Sequence, residues 1–412
     1  ASDVYKRQYL IMSANKQQES HKPPSDGSVA KEEFIRVGTT LYKIVEQPRL
    51  NGGYVKKRIM WNNETLRQDY GKDYLATVPK YDGFCTVPSH VDYRPVVDKF
   101  LNLYEPIEHC PQQGEFPCIQ SLVRHIFEEQ YELGMDYLQL LYLQPIQKLP
   151  ILLLVSEERN TGKSTFLNFL KAVFQNNVTF NTNEDFRSQF NSDWAGKLLI
   201  VVDEVLLNRR EDSERLKNLS TTFTYKVEAK GKDRTEIAFF AKFVLCSNNE
   251  YLPILIDAGE TRYWVRKIMP LQNDDTNFLQ KLKAEIPAFL YFLTQRELST
   301  TQESRMWFNP RLTHTAALQK IIRSNRNRLE IEMTELLLDI MSNMNVESVS
   351  FCLNDLVTLL LYSQVKVEKY QVRKVVQEVW KLTSAHNSLS YTCLLYTSPT
   401  HETLAISYAV FC

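Results

Sequence analysis

Net charge is what this chain most plainly lacks: 49 lysines and arginines stand against 49 aspartates and glutamates in 412 residues. A polyanion such as nucleic acid cannot be held by the charge of the whole, only by local cationic patches. Long apolar runs are missing too. The longest near the middle, Leu149 to Val155, falls far short of the ~20 residues that span a bilayer, so no membrane partner is expected. No secretory signal pattern is visible at the start. The seven cysteines include no C-x-x-C pair and none at zinc-ligand spacing with a histidine pair. Cys85, Cys110, Cys118, Cys246 and Cys352 therefore read as reduced thiols of a cytoplasmic protein, most simply as core filler.

What is present is an ordinary globular balance, 43% hydrophobic and 24% charged, in a chain too long for one core. Two or three domains are expected. Both ends look foreign: "DVYKRQ" and "CLLYTSP" resemble translated sequencing-adapter remnants, so residues 1–8 and 393–412 are set aside, with Met12 as a plausible start and an upstream domain open to having been lost. Residues 9–33 are polar and read as disordered. Residues 34–118 read as a small α+β module, with "TTLYKIVE" and "YVKKRIMW" as strands around an Asn-Gly-Gly turn. From Ile119 to Tyr142 apolar residues recur at helical spacing, with Gly134 as the expected break. "LPILLLV", "KLLIVVDEV" and "FFAKFVLCSNN" are three buried strands far enough apart for crossover helices, which predicts a parallel α/β core within 119–300. Polar residues 301–317 read as a linker, and 318–392 as a further domain with three helical stretches and a short strand, "SVSF".

One glycine is missing where it is most expected. "SEERNTGKST" (Ser156 to Thr165) ends like a phosphate-binding loop, but the first glycine of G-x-x-x-x-G-K-[ST] is replaced by Glu157. That position contributes no side chain to phosphate. A carboxylate there is tolerable provided that it points to solvent. The remaining positions, Asn160, Thr161, Gly162, Lys163, Ser164 and Thr165, suit a nucleotide: backbone N–H groups and a helix N-terminus for the phosphates, Lys163 for the β/γ-phosphates, the Ser164 hydroxyl for magnesium. Asp203 and Glu204 end an apolar strand. Asp203 suits a magnesium ion, through water, and Glu204 suits deprotonation of the attacking water. Alone, such a pair is as readily a solvated strand end. Asn248, after the third strand, suits the γ-phosphate or the water, although an Asn-Asn turn accounts for it locally.

Taken together, "NTGKS", "LLIVVDEV", "FVLCSNN" and the later "GETRYWVRKI" resemble the superfamily 3 helicases, and most closely the primase-helicase proteins of phages and bacterial mobile elements. The resemblance covers roughly 100–270. It implies an AAA+ P-loop ATPase that uses ATP and magnesium, with Lys163 and Ser164 as Walker A, Asp203 and Glu204 as Walker B, and Asn248 as sensor. It also implies that Arg262, with Arg266 as its rival, is an arginine finger offered to a neighbouring subunit, and hence a homo-oligomeric ring, a hexamer by expectation. "KVEAKGKDR" (Lys226 to Arg234) has the pattern of a hairpin with Lys230 and Lys232 at its tip. In the family such a hairpin grips single-stranded DNA, whereas by pattern alone it is a solvated charge run. The C-terminal part resembles a winged helix, with Lys366, Lys369, Arg373 and Lys374 either on DNA or on a solvated helix face. The function implied is an ATP-dependent DNA helicase in replication of a phage, plasmid or mobile element, with a primase or polymerase as a further partner. The alternatives are an AAA+ motor that remodels a DNA complex without unwinding, and a DNA-binding scaffold that only holds nucleotide.

Overall fold

The computed structural model describes residues 34–48, 54–188, 194, 196–207, 209–227, 235–271, 275–346, 348–383 and 408–411, with no side chains described for 227, 235, 326–328 and 408–411. The chain divides into two compact units, 1–84 with 99–101, and 85–98 with 102–412.

In the first unit, β1 (Phe34–Val37), β2 (Thr40–Pro48), β3 (Tyr54–Trp61) and β4 (Lys80–Tyr81) form a sheet of order β3-β2-β1-β4. Helix α1 (Asn63–Tyr70) begins at Asn62, whose side chain accepts the Glu64 N–H at 2.7 Å, an N-cap that closes one of the orphan donors of the first turn. Phe34, Leu41, Leu66 and Val78 make its small core. Of the module expected to reach Cys118, the first unit holds the residues up to Phe84 and Lys99–Leu101. Tyr104, Ile107, Phe116 and Cys118 pack into the larger core of the second unit, which offers more apolar surface to bury them.

The second unit opens with α2 (Pro117–Phe127) and α3 (Tyr131–Leu143). The expected break at Gly134 lies elsewhere: α2 ends at Glu128, whose φ is +44°, and a short 3-10 turn leads into α3. Gly134 sits inside α3, where a Cβ would collide with the ring of Phe127. It is a packing glycine rather than a helix breaker.

The core sheet contains β5 (Ile151–Val155), β6 (Val178–Asn181), β7 (Leu199–Val202), β10 (Lys242–Ser247) and β11 (Tyr263–Lys267). The pair β8 (Thr224–Val227) and β9 (Thr235–Ala238) forms a separate antiparallel ribbon. The five core strands are all parallel, in the order β11-β5-β10-β7-β6. Two of them, β6 and β11, were not among the three strands expected. Each is short and carries polar residues that blur the apolar run.

Both faces of this sheet are covered, which is why its strands read as continuous apolar runs rather than alternating ones. Leu152, Leu154, Val201, Val244 and Trp264 point to one face, against α2, α3, α4 (Lys163–Phe174) and α7 (Phe278–Gln295). Leu153, Val155, Ile200, Leu245 and Val265 point to the other, with α5 (Asn183–Arg187), α6 (Arg210–Thr221) and the start of α9 (Ala316–Met344).

Just before the stretch expected as a linker, 301–317, the chain is anchored. Buried Asp136 accepts from Ser299 N–H and Oγ at 3.0 and 2.9 Å and from Thr300 N–H and Oγ1 at 2.8 and 2.6 Å. Trp307 and Phe308 join the main core just before α8 (Pro310–Thr313). Helix α9 then serves two cores: Leu318 and Ile321 belong to the sheet, while Met333 and Leu337 pack with β12 (Val349–Phe351), α10 (Leu353–Tyr362) and α11 (Lys369–Lys374). Strand β12 also pairs with β13 (Tyr408–Phe411), inside the segment set aside as foreign. Among the basic residues read on this part, Lys366 is paired to Glu211 at 2.6 Å and Lys374 to Glu378 at 3.8 Å.

Replacing Gly134 with alanine should force α2 and α3 apart. The expected loss is ~1–3 kcal/mol of stability, as for other overpacked cores. Urea unfolding of wild type beside Gly134→Ala measures it, and an unchanged midpoint would show that the ring of Phe127 can give way.

Candidate functional site

Because the core strands are parallel, their carboxyl ends lie along one edge of the sheet, where crevices for ligands form in open α/β folds. Strand β10 runs between β5 and β7. The loop after it therefore stands between the phosphate-type loop after β5 and the acidic pair after β7.

The loop after β5 is tied down at several points. Ser156 donates its N–H to the Ser247 carbonyl at 3.1 Å and its hydroxyl to the Glu158 carbonyl at 2.8 Å. Leu271 N–H donates to the Asn160 carbonyl at 3.0 Å, and His125 Nε2 donates to the Thr161 carbonyl at 2.9 Å. Gly162 has φ +81°, which suits glycine and lets α4 start at Lys163 with its N-terminus facing the loop. Glu157 is not among the residues of positive φ, so its backbone does not require glycine. Its side chain is about half exposed and lies 3.7 Å from Lys320, turned to solvent as the charge argument requires.

Lys163 is buried. Its ammonium donates to Thr161 Oγ1 and Asn248 Oδ1, both at 3.0 Å, and to Ser156 Oγ. Burial holds its pKa below the usual lysine range, and nearby carboxylates including Asp203, Glu204 and Glu250 pull it back up. A desolvated cation without an anionic hydrogen-bond partner gains most from an anion brought into the loop. Ser164 Oγ donates to Asp203 Oδ2 at 2.8 Å. A hydroxyl and a carboxylate at this spacing are the donor types of a magnesium site completed by phosphate and water. Thr165 follows in the first turn of α4.

The acidic pair is exposed and held by its backbone. Glu204 has φ +58°, an unfavourable conformation for a glutamate that persists only if its surroundings impose it. They do: Asn183 Nδ2 donates to the Glu204 carbonyl at 3.1 Å and Asn183 Oδ1 accepts Leu206 N–H at 2.9 Å, while Val205 N–H donates to Cys246 O at 2.7 Å.

The structure thus brings Lys163, Ser164, Asp203, Glu204 and Asn248 to one edge. Arg262 is elsewhere. Its carbonyl accepts Ile151 N–H at 2.8 Å, at the opposite end of β5, roughly 16 Å along the strand from the loop at ~3.3 Å per residue. Its Nη1 donates to both carboxylate oxygens of Glu260, at 3.0 and 2.8 Å. Arg266 is buried on β11 and locked to Glu129 at 2.6 and 3.2 Å. Lys230 and Lys232 lie outside the described residues; β8 and β9 flank them as an antiparallel pair.

Sequence reasoning missed Asn183, His125 and one buried carboxylate. Glu250, only 2% exposed, accepts from Lys320 at 2.8 Å and from Lys267 at 3.1 Å. The Lys320 ammonium also lies 3.9 Å from the Tyr251 ring centre. The partners come from β10, β11 and α9, so no local sequence signal could have joined them. Burial alone would raise the Glu250 pKa, but the two lysines outweigh it and hold the carboxyl below the usual range.

The apo structure of the NrS-1 C terminal region (305-718) superposes with a TM-score of 0.57 at 15% identity, covering 87% of this chain and 94% of that one. The fold resembles that of the NrS-1 C terminal region. A second structure of that region, the A form, matches at TM-score 0.53 and 18% identity over 82% of this chain and 81% of that one. The JCV helicase is found at TM-score 0.29 and 15% identity over 53% of this chain and 62% of that one, too low to carry an argument. A family of unknown function, DUF5906, matches residues 154–263, from the end of β5 to the first residue of β11. No curated protein matches.

A carboxylate with a depressed pKa adds stability above its unfolded value near pH 4.5 and loses it as pH falls through the folded value. Wild type should therefore lose stability faster than Glu250→Gln between pH 5 and pH 3, on the order of 1 kcal/mol. Urea midpoints across that range measure the difference, and parallel curves would remove Glu250 from the acid response.

Proposed function

We propose that this chain is an ATP-hydrolysing DNA helicase of superfamily 3, AAA+ type, acting in replication of a phage, plasmid or mobile element. One observation carries the reading: the Lys163 ammonium, the Asn248 amide and the Ser164–Asp203 pair meet at the carboxyl edge of a parallel sheet. No two of these loops are adjacent in sequence, and a chance "GKS" would not assemble them.

In this reading the backbone of Asn160 to Thr165 and the N-terminus of α4 take the phosphates, and Lys163 turns from its neutral partners to the β/γ-phosphates. Magnesium, held by Ser164 and reached by Asp203 through water, would neutralise charge on the phosphate oxygens. Glu204, exposed and fixed by its backbone, takes the proton of the attacking water, and Asn248 orients that water or the γ-phosphate. Arg262 sits a strand length from its own site, so as a finger it would serve a neighbour's and would first have to leave Glu260. Arg266, its side chain only 5% exposed against 27% for Arg262, is the less available of the two. Such a site is completed in a ring of copies, a hexamer by the resemblance. Lys230 and Lys232, carried between β8 and β9, would grip single-stranded DNA, and the α9–α11 cluster would be the winged-helix part. A primase or polymerase partner fits the same setting. A motor that remodels a DNA complex without unwinding shares the whole ATP site and differs only in the last step.

Magnesium-dependent ATP turnover is expected from wild type. Lys163→Ala should abolish it, and Glu204→Gln should keep ATP bound while turnover falls by about 100-fold or more. Wild type that binds no ATP would leave only the scaffold reading. A forked duplex separates helicase from remodelling motor: turnover without strand separation favours the latter.

Mixing Arg262→Ala with Lys163→Ala subunits should restore part of the turnover that each lacks alone, because mixed rings contain intact interfaces. If both variants assemble and no ratio restores any, Arg262 does not act across subunits.

A further inference from the structure

Strand β1 pairs only with Thr40 to Lys43 of β2, whereas the β2–β3 register continues to Pro48 opposite Tyr54. Ile44–Pro48 and Tyr54–Arg58 therefore extend beyond the sheet as a two-stranded ribbon, with no third strand beside it among the described residues. At ~3.4 Å per residue its five pairs project roughly 17 Å.

A surface ribbon normally turns one face to a core. This one does not. Side-chain alternation puts Tyr54, Lys56, Arg58 and Met60 on one face and Lys57 and Ile59 on the other. Lys56 to Met60 are all exposed, with Tyr54 at 69% and Met60 at 61%. Two isolated strands of this length gain little stability from each other, so an exposed ribbon calls for a use outside the unit. The charge is equally uneven. From Ile44 to Arg58 the sequence has Arg49, Lys56, Lys57 and Arg58 against Glu46 alone, in a chain of zero net charge.

We propose that the β2–β3 ribbon is an arm that binds duplex DNA by lying in a groove, with its cations reaching the phosphates of both walls. The major groove, about 12 Å wide, admits a two-stranded ribbon. Lys57 on one face and Lys56 and Arg58 on the other then face opposite strands. Single-stranded binding favours aromatic side chains gathered on one face as a stacking platform, and Tyr54 is the only aromatic within the projecting part of β3. The arm lies in the first unit, and its binding to DNA needs no nucleotide. It would hold the duplex while the second unit works on the strand. Lysines can also serve merely to keep an edge strand from pairing with other chains, and the test separates the two roles.

The whole chain, without nucleotide, is titrated against a labelled duplex of about 20 base pairs and a single strand of the same length, over a range of salt. Lys56→Ala, Lys57→Ala and Arg58→Ala combined should weaken duplex binding at least tenfold. The slope of log affinity against log salt should become shallower by roughly two to three, as for three lost phosphate contacts. Single-strand affinity should change much less, and ATP turnover without DNA should match wild type. Glu46→Lys should tighten duplex binding, and it decides the matter if the triple variant fails to fold. Unchanged duplex affinity, or a single-strand affinity that falls as far as the duplex affinity, overturns the proposal. So does a folded Glu46→Lys that binds duplex no better than wild type.

Discussion

A buried ammonium, Lys163, stands among three neutral oxygens, and much of the second unit serves to keep it there. The cost of desolvating a lysine is several kcal/mol unless partners offset it. Here the partners are supplied by two loops: Ser156 and Thr161 from its own, Asn248 from the loop after β10. That pairing exists only because β10 lies beside β5 in the sheet. Had β7 taken that place, Asp203 would be the neighbour, and the lysine would meet a carboxylate rather than neutral oxygens.

Charges around the site are kept apart by the same geometry. Asp203 hydrogen-bonds to Ser164, not to Lys163. Glu250 is occupied by Lys267 and Lys320, and Glu157 faces Lys320 at the surface. The Lys320 link has a second consequence. Lys320 belongs to α9, whose later turns form the core of the C-terminal cluster. The loop after β10 and the C-terminal cluster are therefore joined by one helix and one ion pair, in which Glu250 is buried and Lys320 about one-third exposed.

The missing glycine of the loop after β5 illustrates how a motif position can change without straining the backbone. A glycine is indispensable where φ is positive or where a Cβ would collide. Gly162 meets the first condition and Gly134 the second. Position 157 meets neither condition that would exclude a glutamate, so Glu157 sits there with its carboxylate turned outward.

Much of the α/β core was legible from the sequence. "LPILLLV", "KLLIVVDEV" and "FFAKFVLCSNN" announce strands because strands covered on both faces must be apolar throughout, and that property is local. Lys163, Ser164, Asp203, Glu204 and Asn248 stand out because each ends or follows such a run. The strands β6 and β11 did not stand out, because short edge strands with polar residues lack that signature. The end of α2 at Glu128, the packing of Gly134 under Phe127 and the anchoring of Ser299 and Thr300 on Asp136 are pairings between surfaces, invisible to any local pattern. So is the placing of Arg262 at the far end of β11, which decides that it cannot reach its own site. By itself the sequence determined which segments must be buried and which residue types could handle phosphate. Only the tertiary structure decided strand order, and with it which of those residues meet, because neighbours in a parallel sheet are set by crossovers that the chain's local periodicity does not encode.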